Sequence, residues 1–241
     1  MLLEKYAKEV ELFTGVCHRL ADLGFVTSAG GNAAWRLEED VVLITPTKTW
    51  KGHVDRDNVI FINMAGDTVE GTARPTGEKP MYLRFFHDRP DVKSVIHCHP
   101  PCACACAVIR PEEQRELLMQ PFYPETVTEV GPIPTVPYGE PLTKKLADNF
   151  APYLPYYNSF IMEKHGLVTM SRGDIYTTLN TIELAEASIN SVLKAKAAGT
   201  LNPINDEELQ DLSNVMATRD LPLYGLPGAN KSLVECYKRR I

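Results

Sequence analysis

Leu3, Tyr6, Val10, Leu12, Phe13, Val16, Cys17 and Leu20 recur at helical spacing and Gly24 ends the run, which predicts one helix over residues 2–23. "SAGGN" at 28–32 reads as a loop. "AAWRL" and "VVLIT" form a strand pair, Asn58–Asn63 a third strand, "MAGD" a turn and "TVEG" a short fourth strand. "EKPMYLRFFHDRP" is a helix ending before Pro90. "VKSVIHCH" is an apolar strand, and "PPCACACAVI" opens a helix, since proline is tolerated in a first turn. Another helix follows at 112–119, then a short strand in "IPTVPY" and a helix in "PLTKKLADNFAPYL". "SFIMEKHGLVTM" predicts a hairpin turning around Lys164–Gly166. The longest helix runs from Asp174 to about Ala198, and "DEELQDLSNVMATR" is one more. No repeat, linker or low-complexity tract interrupts this mixture, so a single α/β domain over 1–241 is expected, with 203–241 as a helical tail.

Composition narrows the function. The 241 residues carry a net charge of -6 with both signs mixed along the chain, and no basic stripe suits a nucleic acid backbone. The apolar runs are far shorter than a membrane span. "MLLEKYAKEVELF" alternates charge with apolar residues and lacks the apolar segment of a signal peptide. A cytoplasmic enzyme or binding protein is the expectation. Four of the six cysteines sit between 98 and 106 rather than spread as a disulfide framework, so reduced thiols are expected.

"VIHCHPPCACACAV" at 95–108 concentrates the candidate chemistry. On a strand, His97 and His99 project from one face and can converge on one metal ion, while Cys98 points the other way. Two strand histidines alone leave a structural role equally open. The spacing of Cys102, Cys104 and Cys106 is not that of a zinc site, and small thiols suit a helix packed closely on a sheet. His165, in the turn of "MEKHGL", and Glu78, in the Gly/Pro-rich "RPTGEKP", are further candidate ligands. His18, His53 and His87 read as surface or packing residues.

The ordered set "GGN" (30–32), "LITPT" (43–47), "PTGE" (75–78), "RPDVKSVIHCHPP" (89–101), "GPIPTVPYG" (131–139) and "KHGL" (164–167) resembles the class II aldolase/adducin-like family. Within it the chain is nearest to the L-fuculose-1-phosphate aldolases, with the rhamnulose-1-phosphate aldolases and ribulose-5-phosphate 4-epimerases related. The resemblance implies a mostly antiparallel central sheet flanked by helices. It implies one Zn2+ per subunit, held by His97, His99 and His165, with Glu78 both ligand in the empty enzyme and base in the reaction. Tyr123, fifteen residues before Tyr138, matches the family's proton donor from a neighbouring subunit, and Tyr224 in "LYGL" matches its C-terminal tyrosine. By that match, the tail at 203–241 completes the site.

The implied activity is cleavage of a ketose 1-phosphate to dihydroxyacetone phosphate and an aldehyde through a metal-stabilised enediolate. The implied assembly is a homotetramer with a small-molecule sugar phosphate as its partner. Both tyrosines, and Glu rather than Asp at 78, favour an aldolase over an epimerase. Asn32, Thr47 and Thr76 keep the polar character of the family's phosphate pocket. Lys48 and Gly77 depart from it, standing where the fuculose enzymes carry Gly and Ser. Two other functions remain in view: a metal-dependent decarboxylase or epimerase acting on a carboxylate or unphosphorylated substrate, and a non-enzymatic interaction module like the adducin head. The intact ligand set argues against the module.

Overall fold

The computed structural model describes residues 1–241 as one α/β unit around an eight-stranded sheet. The first half contributes α1 (Leu2–Lys5), α2 (Ala7–Asp22), β1 (Asn32–Glu38), β2 (Val41–Ile44), β3 (Ile60–Ile62), β4 (Thr68–Glu70), α3 (Lys79–Asp88), β5 (Ser94–Cys98) and α4 (Pro101–Ala107). The second half adds α5 (Pro111–Leu118), α6 (Pro124–Glu129), β6 (Thr135–Val136), α7 (Lys144–Asn149), β7 (Ser159–Met162), β8 (Gly166–Ser171), α8 (Ile175–Ala198), α9 (Asp206–Thr218) and α10 (Leu233–Lys238). The strand order is β4-β3-β2-β1-β5-β8-β7-β6, and every pair is antiparallel except β6 with β7.

Alternation along the strands builds two cores. Ala33, Trp35, Leu43, Phe61, Ile96, Cys98 and Leu167 face one side and pack with Phe13, Leu20, Leu179 and Ile182 of α2 and α8. Ala34, Val42, Ile44, Ile60, Ile62, Val95 and Val168 face the other side, against Phe85 of α3 and Phe150 and Phe160. His97 has the parity of Val95, so it looks toward α3. Cys98 joins the opposite core, as the two-residue period requires.

All six cysteines are free. Cys98 and Cys106 lie in the core with Ala103 and Ala107, and Cys102 packs against it, so most of the cluster is small-residue packing of α4 on the sheet. The buried Glu186 of α8 accepts from the backbone N–H groups of Cys102 (2.6 Å) and Ala103 (2.9 Å), which satisfies the first turn of α4.

Several expected boundaries shift. The first helix breaks at Tyr6 into α1 and α2. The helix expected from Pro141 forms only over Lys144–Asn149: Thr143 caps its start by accepting from Leu146 N–H, and Pro152 and Pro155 deny it further turns. α6 and α10 were not expected. Each is six residues long, too short for an apolar period to show.

Candidate metal centre

β5 ends at Cys98, so His97 is a strand residue and His99 lies just beyond the strand. β8 pairs with β5 in the register His97↔Val168 and Cys98↔Leu167. That register sets the β7–β8 turn, and with it His165, beside the end of β5. Lys164 takes a left-handed backbone in this turn, and its N–H donates to Ala107 O at 2.7 Å.

The three imidazoles converge. Ring centroids are 4.7 Å apart for His97–His99, 4.7 Å for His97–His165 and 5.6 Å for His99–His165. One donor nitrogen from each lies within 4.8 Å of the others, a group able to hold a metal ion. His97 Nδ1 sits 2.9 Å from Leu167 O. A carbonyl only accepts, so Nδ1 carries the proton and Nε2 keeps its lone pair. The His165 ring makes no hydrogen bond, although its Nδ1 is enclosed. Burial lowers the pKa of His97, His99 and His165 to about 4, so all three are neutral near pH 7. Neutral, convergent imidazoles, His97 buried and the other two half-buried, fit a borderline cation such as zinc.

Two glycines make the packing possible. Gly31 has a φ of +66°, and a Cβ there would fall 2.9 Å from His97 O. At Gly166 a Cβ would fall 2.7 Å from both Cys98 O and His99 Cδ2.

Glu78 is the residue before α3, its side chain making no capping hydrogen bond, and is 4% exposed. Its Oε2 is 3.7 Å from His97 Nε2 and its Oε1 is 3.7 Å from His165 Nε2. Asn32 Nδ2 donates to Oε2 at 2.8 Å. Asn32 is oriented in turn by Tyr82, whose hydroxyl lies within hydrogen-bond reach of both the side-chain oxygen and the backbone oxygen of Asn32, the latter at 2.7 Å. Asn32 thus holds the carboxylate, beyond the anion-binding part that its motif suggested. Tyr82 was missed. Its place four residues after Glu78, on the same face of α3, is the signal that could have found it.

The other expected residues are placed unevenly. Thr76 is buried, and its hydroxyl accepts from Glu78 N–H at 3.3 Å. Thr47 N–H donates to Arg74 O at 2.9 Å, which lays the 45–47 segment along 74–76. Lys48 is exposed with a φ of +55°. Gly77 is covered by Leu142. Tyr123 is exposed at the start of α6, and Tyr224 is buried among Val127, Leu209, Cys236 and Tyr237 with its hydroxyl unpartnered. Within one chain neither tyrosine hydrogen-bonds to the histidines or Glu78, and the tail packs on α6 instead. A cavity of about 380 Å³ lined by Arg115, Tyr153, Tyr157 and Glu163 contains none of these residues.

Residues 11–193 match the family described as Class II Aldolase and Adducin N-terminal domain. The chain belongs to this family. It is 28% identical over 182 residues to an L-fuculose phosphate aldolase of Methanococcus maripaludis, spanning 75% of this chain and 95% of the relative. It is 25% identical over 205 residues to a 3-oxo-tetronate 4-phosphate decarboxylase of Haemophilus influenzae, spanning 85% and 95%. Among solved structures, YgbL of Klebsiella pneumoniae superposes with a TM-score of 0.77 at 22% identity over 86% of this chain and 98% of that one. A sugar-phosphate aldolase of Thermotoga maritima gives 0.73 at 21% identity over 82% and 99%. These structural likenesses establish the fold. These two curated relatives are a decarboxylase and an aldolase, and no helix of the chain is long and apolar enough to cross a membrane.

Proposed function

We propose that the protein is a zinc-dependent aldolase that splits a ketose into a three-carbon hydroxy-ketone and an aldehyde. One zinc per subunit is held by His97, His99 and His165, with Glu78 as a displaceable fourth ligand. The observation that carries this reading is the Glu78 carboxylate, 3.7 Å from two of the three imidazoles and tethered on one oxygen by Asn32. A carboxylate so placed is near enough to serve the metal in the empty site and to move a proton once substrate displaces it. When bound, zinc would polarise the substrate carbonyl and stabilise the charge that develops on its oxygen.

The chain supplies the rest. Leu167 O fixes the His97 tautomer. Asn32 and Tyr82 hold Glu78 in place. In the cleavage direction a hydroxyl proton leaves at the aldehyde side, the C–C bond breaks, and its electron pair passes to the carbon beside the carbonyl, where Glu78 delivers a proton. Tyr123 is exposed and makes no hydrogen bond to the histidines or Glu78 of its own chain, which suits handling of the hydroxyl proton in a neighbouring copy. The same observation supports a homo-oligomer, with a tetramer as the family's arrangement, and Tyr224 would act at such an interface.

A ketose 1-phosphate, yielding dihydroxyacetone phosphate, is the substrate class that the relatives suggest, and Asn32, Thr47, Lys48, Thr76 and Gly77 are the positions that would meet it. A second reading keeps the centre and changes the substrate to a carboxylate, lost by decarboxylation, or a free sugar. The covering of Gly77 by Leu142 favours its uncharged form, a free sugar. The test is cleavage by the zinc-loaded protein of ketose 1-phosphates and their unphosphorylated counterparts, with product analysis for a released aldehyde or carbon dioxide. His97→Ala should lose both metal and activity; stoichiometric zinc in that variant would refute the ligand assignment.

A further inference from the structure

Five residues other than glycine hold a left-handed backbone: Ser28, Lys48, Leu142, Lys164 and Asp220. Four of them lie in segments around the centre. Ser28 leads into the Gly30–Gly31 loop that packs on His97 and His99, Lys48 follows Thr47, and Lys164 presents His165. Strained backbone persists where the surroundings impose it, and functional sites are where it clusters.

Leu142 is the fourth, at a φ of +68°. Leucine has no polar side chain to support this conformation locally, as Asn or Asp has. Burial does not account for it either, because Leu142 is 61% exposed. What it does is cover Gly77. A Cβ at position 77 would lie 3.0 Å from Leu142 Cδ2 and 3.3 Å from Cδ1. Gly77 itself does not have a positive φ, so its backbone does not demand glycine. The leucine occupies the space that a side chain at 77 would use, immediately before Glu78. The same loop carries Tyr138, also exposed, with Lys164 Nζ 5.9 Å from its ring centroid, so the loop borders the His165 turn as well.

We propose that Leu142 is a specificity-determining residue: its isobutyl group, laid over Gly77, forms an apolar wall beside Glu78 that selects substrates whose group at this wall is uncharged. A phosphate or carboxylate pressed against that wall would lose water, and the leucine offers it no donor in return. A methyl or hydroxymethyl group would not incur that cost. The inference rests on the reading of His97, His99, His165 and Glu78 as the reaction centre, and it settles on the uncharged member of the substrate classes considered above.

The experiment follows a half-reaction that needs no aldehyde. Glu78 takes a proton from the hydroxyl-bearing carbon of a hydroxy-ketone, the electron pair enters the carbonyl system, and a solvent deuteron returns. Hydroxyacetone, dihydroxyacetone and dihydroxyacetone phosphate differ only in the group at the far end. Deuterium uptake would be measured for all three with the zinc-loaded protein, alongside the thermal shift that each compound produces. The wild-type protein should favour the two uncharged compounds in kcat/KM and in thermal shift. Leu142→Gly should move the preference toward the phosphate by about ten-fold or more. Its Tm and zinc content should stay near wild type, since glycine accepts the backbone. Leu142→Ser should move the preference the same way. Exchange with the same order of preference in wild type and variants would overturn the role of Leu142 and leave the centre standing. A wild-type preference for the phosphate would do the same. Exchange of none of the three would overturn the reading of the centre, and this inference with it.

Discussion

Asn32 Nδ2 and Glu78 Oε2 are 2.8 Å apart, and this contact joins the first residue of β1 to the N-terminus of α3. The held oxygen lies 3.7 Å from His97 Nε2, and the other lies 3.7 Å from His165 Nε2. Asn32→Ala should leave Glu78 Oε2 without its buried donor, while the Tyr82 hydroxyl keeps the backbone oxygen of residue 32, at a cost of about 1–3 kcal/mol in stability. Activity or metal affinity should fall about 10- to 100-fold, as when a group supporting a metal ligand is removed. Tyr82→Phe should have a smaller effect in the same direction. Urea unfolding and zinc titration of the two variants check this, and wild-type zinc affinity and turnover in Asn32→Ala would remove Asn32 from the site.

The buried histidines make the metal-free protein sensitive to acid. Burial lowers His97, His99 and His165 to about 4, whereas an unfolded histidine titrates near 6.5. Above about pH 6.5 both states are neutral and the full stability is present. Between 6.5 and 4 the unfolded chain binds protons that the folded chain refuses, so stability falls as pH falls. For His97, 1% exposed, the slope approaches about 1.4 kcal/mol per pH unit. The urea midpoint of the zinc-free protein should therefore drop between pH 7 and 5, above the range where the lowered carboxyls of Asp88 and Asp91 titrate. His97→Ala should show a shallower drop. Equal slopes in the two proteins would show that His97 is not the source.

Tyr123 offers a separation of chemistry from metal binding. Its side chain is 39% exposed and makes no hydrogen bond to the histidines of its own chain. Tyr123→Phe should keep one zinc per subunit and an unchanged Tm while turnover falls about 10²- to 10⁴-fold, the range for loss of one positioned acid or base. Enolisation of the hydroxy-ketone should survive, because the proposed mechanism gives that step to Glu78. An unchanged cleavage rate would remove the donor role.

The convergence of the three histidines was legible because strand periodicity and the turn before β8 both have simple geometry. His97 and His99 two apart, and His165 beside Gly166, needed only the β5–β8 register to meet. The helices around the sheet were legible wherever an apolar period ran long enough, as in α2 and α8. The Tyr82–Asn32–Glu78 chain was not, because a buried tyrosine on an amphipathic helix has the same pattern as a core residue. The left-handed backbone of Leu142 was hidden for a different reason: nothing in "GEPLTKK" requires it, and only the contact with Gly77 reveals its use. The tyrosines are a third case. The resemblance has Tyr123 act from a neighbouring copy, and a single chain's geometry does not join either tyrosine to the histidines by a hydrogen bond.

The C-terminal tail is fastened by a buried ionic node, and loosening it should separate the tail from the metal centre. Arg89, fully buried, forms a two-point contact with Asp91 at 2.8 Å on each oxygen and donates to Leu154 O, Tyr157 O and Gly225 O. Arg172 reaches Asp91 Oδ2 at 2.9 Å and donates to Leu223 O and Gly225 O. Desolvation alone would raise the Asp91 pKa, but hydrogen bonds from the two arginines outweigh it and hold the carboxyl below its usual range. Arg89→Ala strips the Asp91 carboxylate of its two-point partner and leaves Leu154 O and Tyr157 O without this donor, while Gly225 O keeps Arg172, at a cost of about 3–5 kcal/mol. Arg172→Ala leaves the Arg89 contacts in place and removes only the outer clasp on residues 223–225. It should cost less and should speed protease cleavage within 219–232, with zinc content unchanged. If the tail completes the site of a neighbouring copy through Tyr224, cleavage activity should fall in Arg172→Ala in step with that loosening. Full activity with a readily cleaved tail would show that the tail serves stability alone.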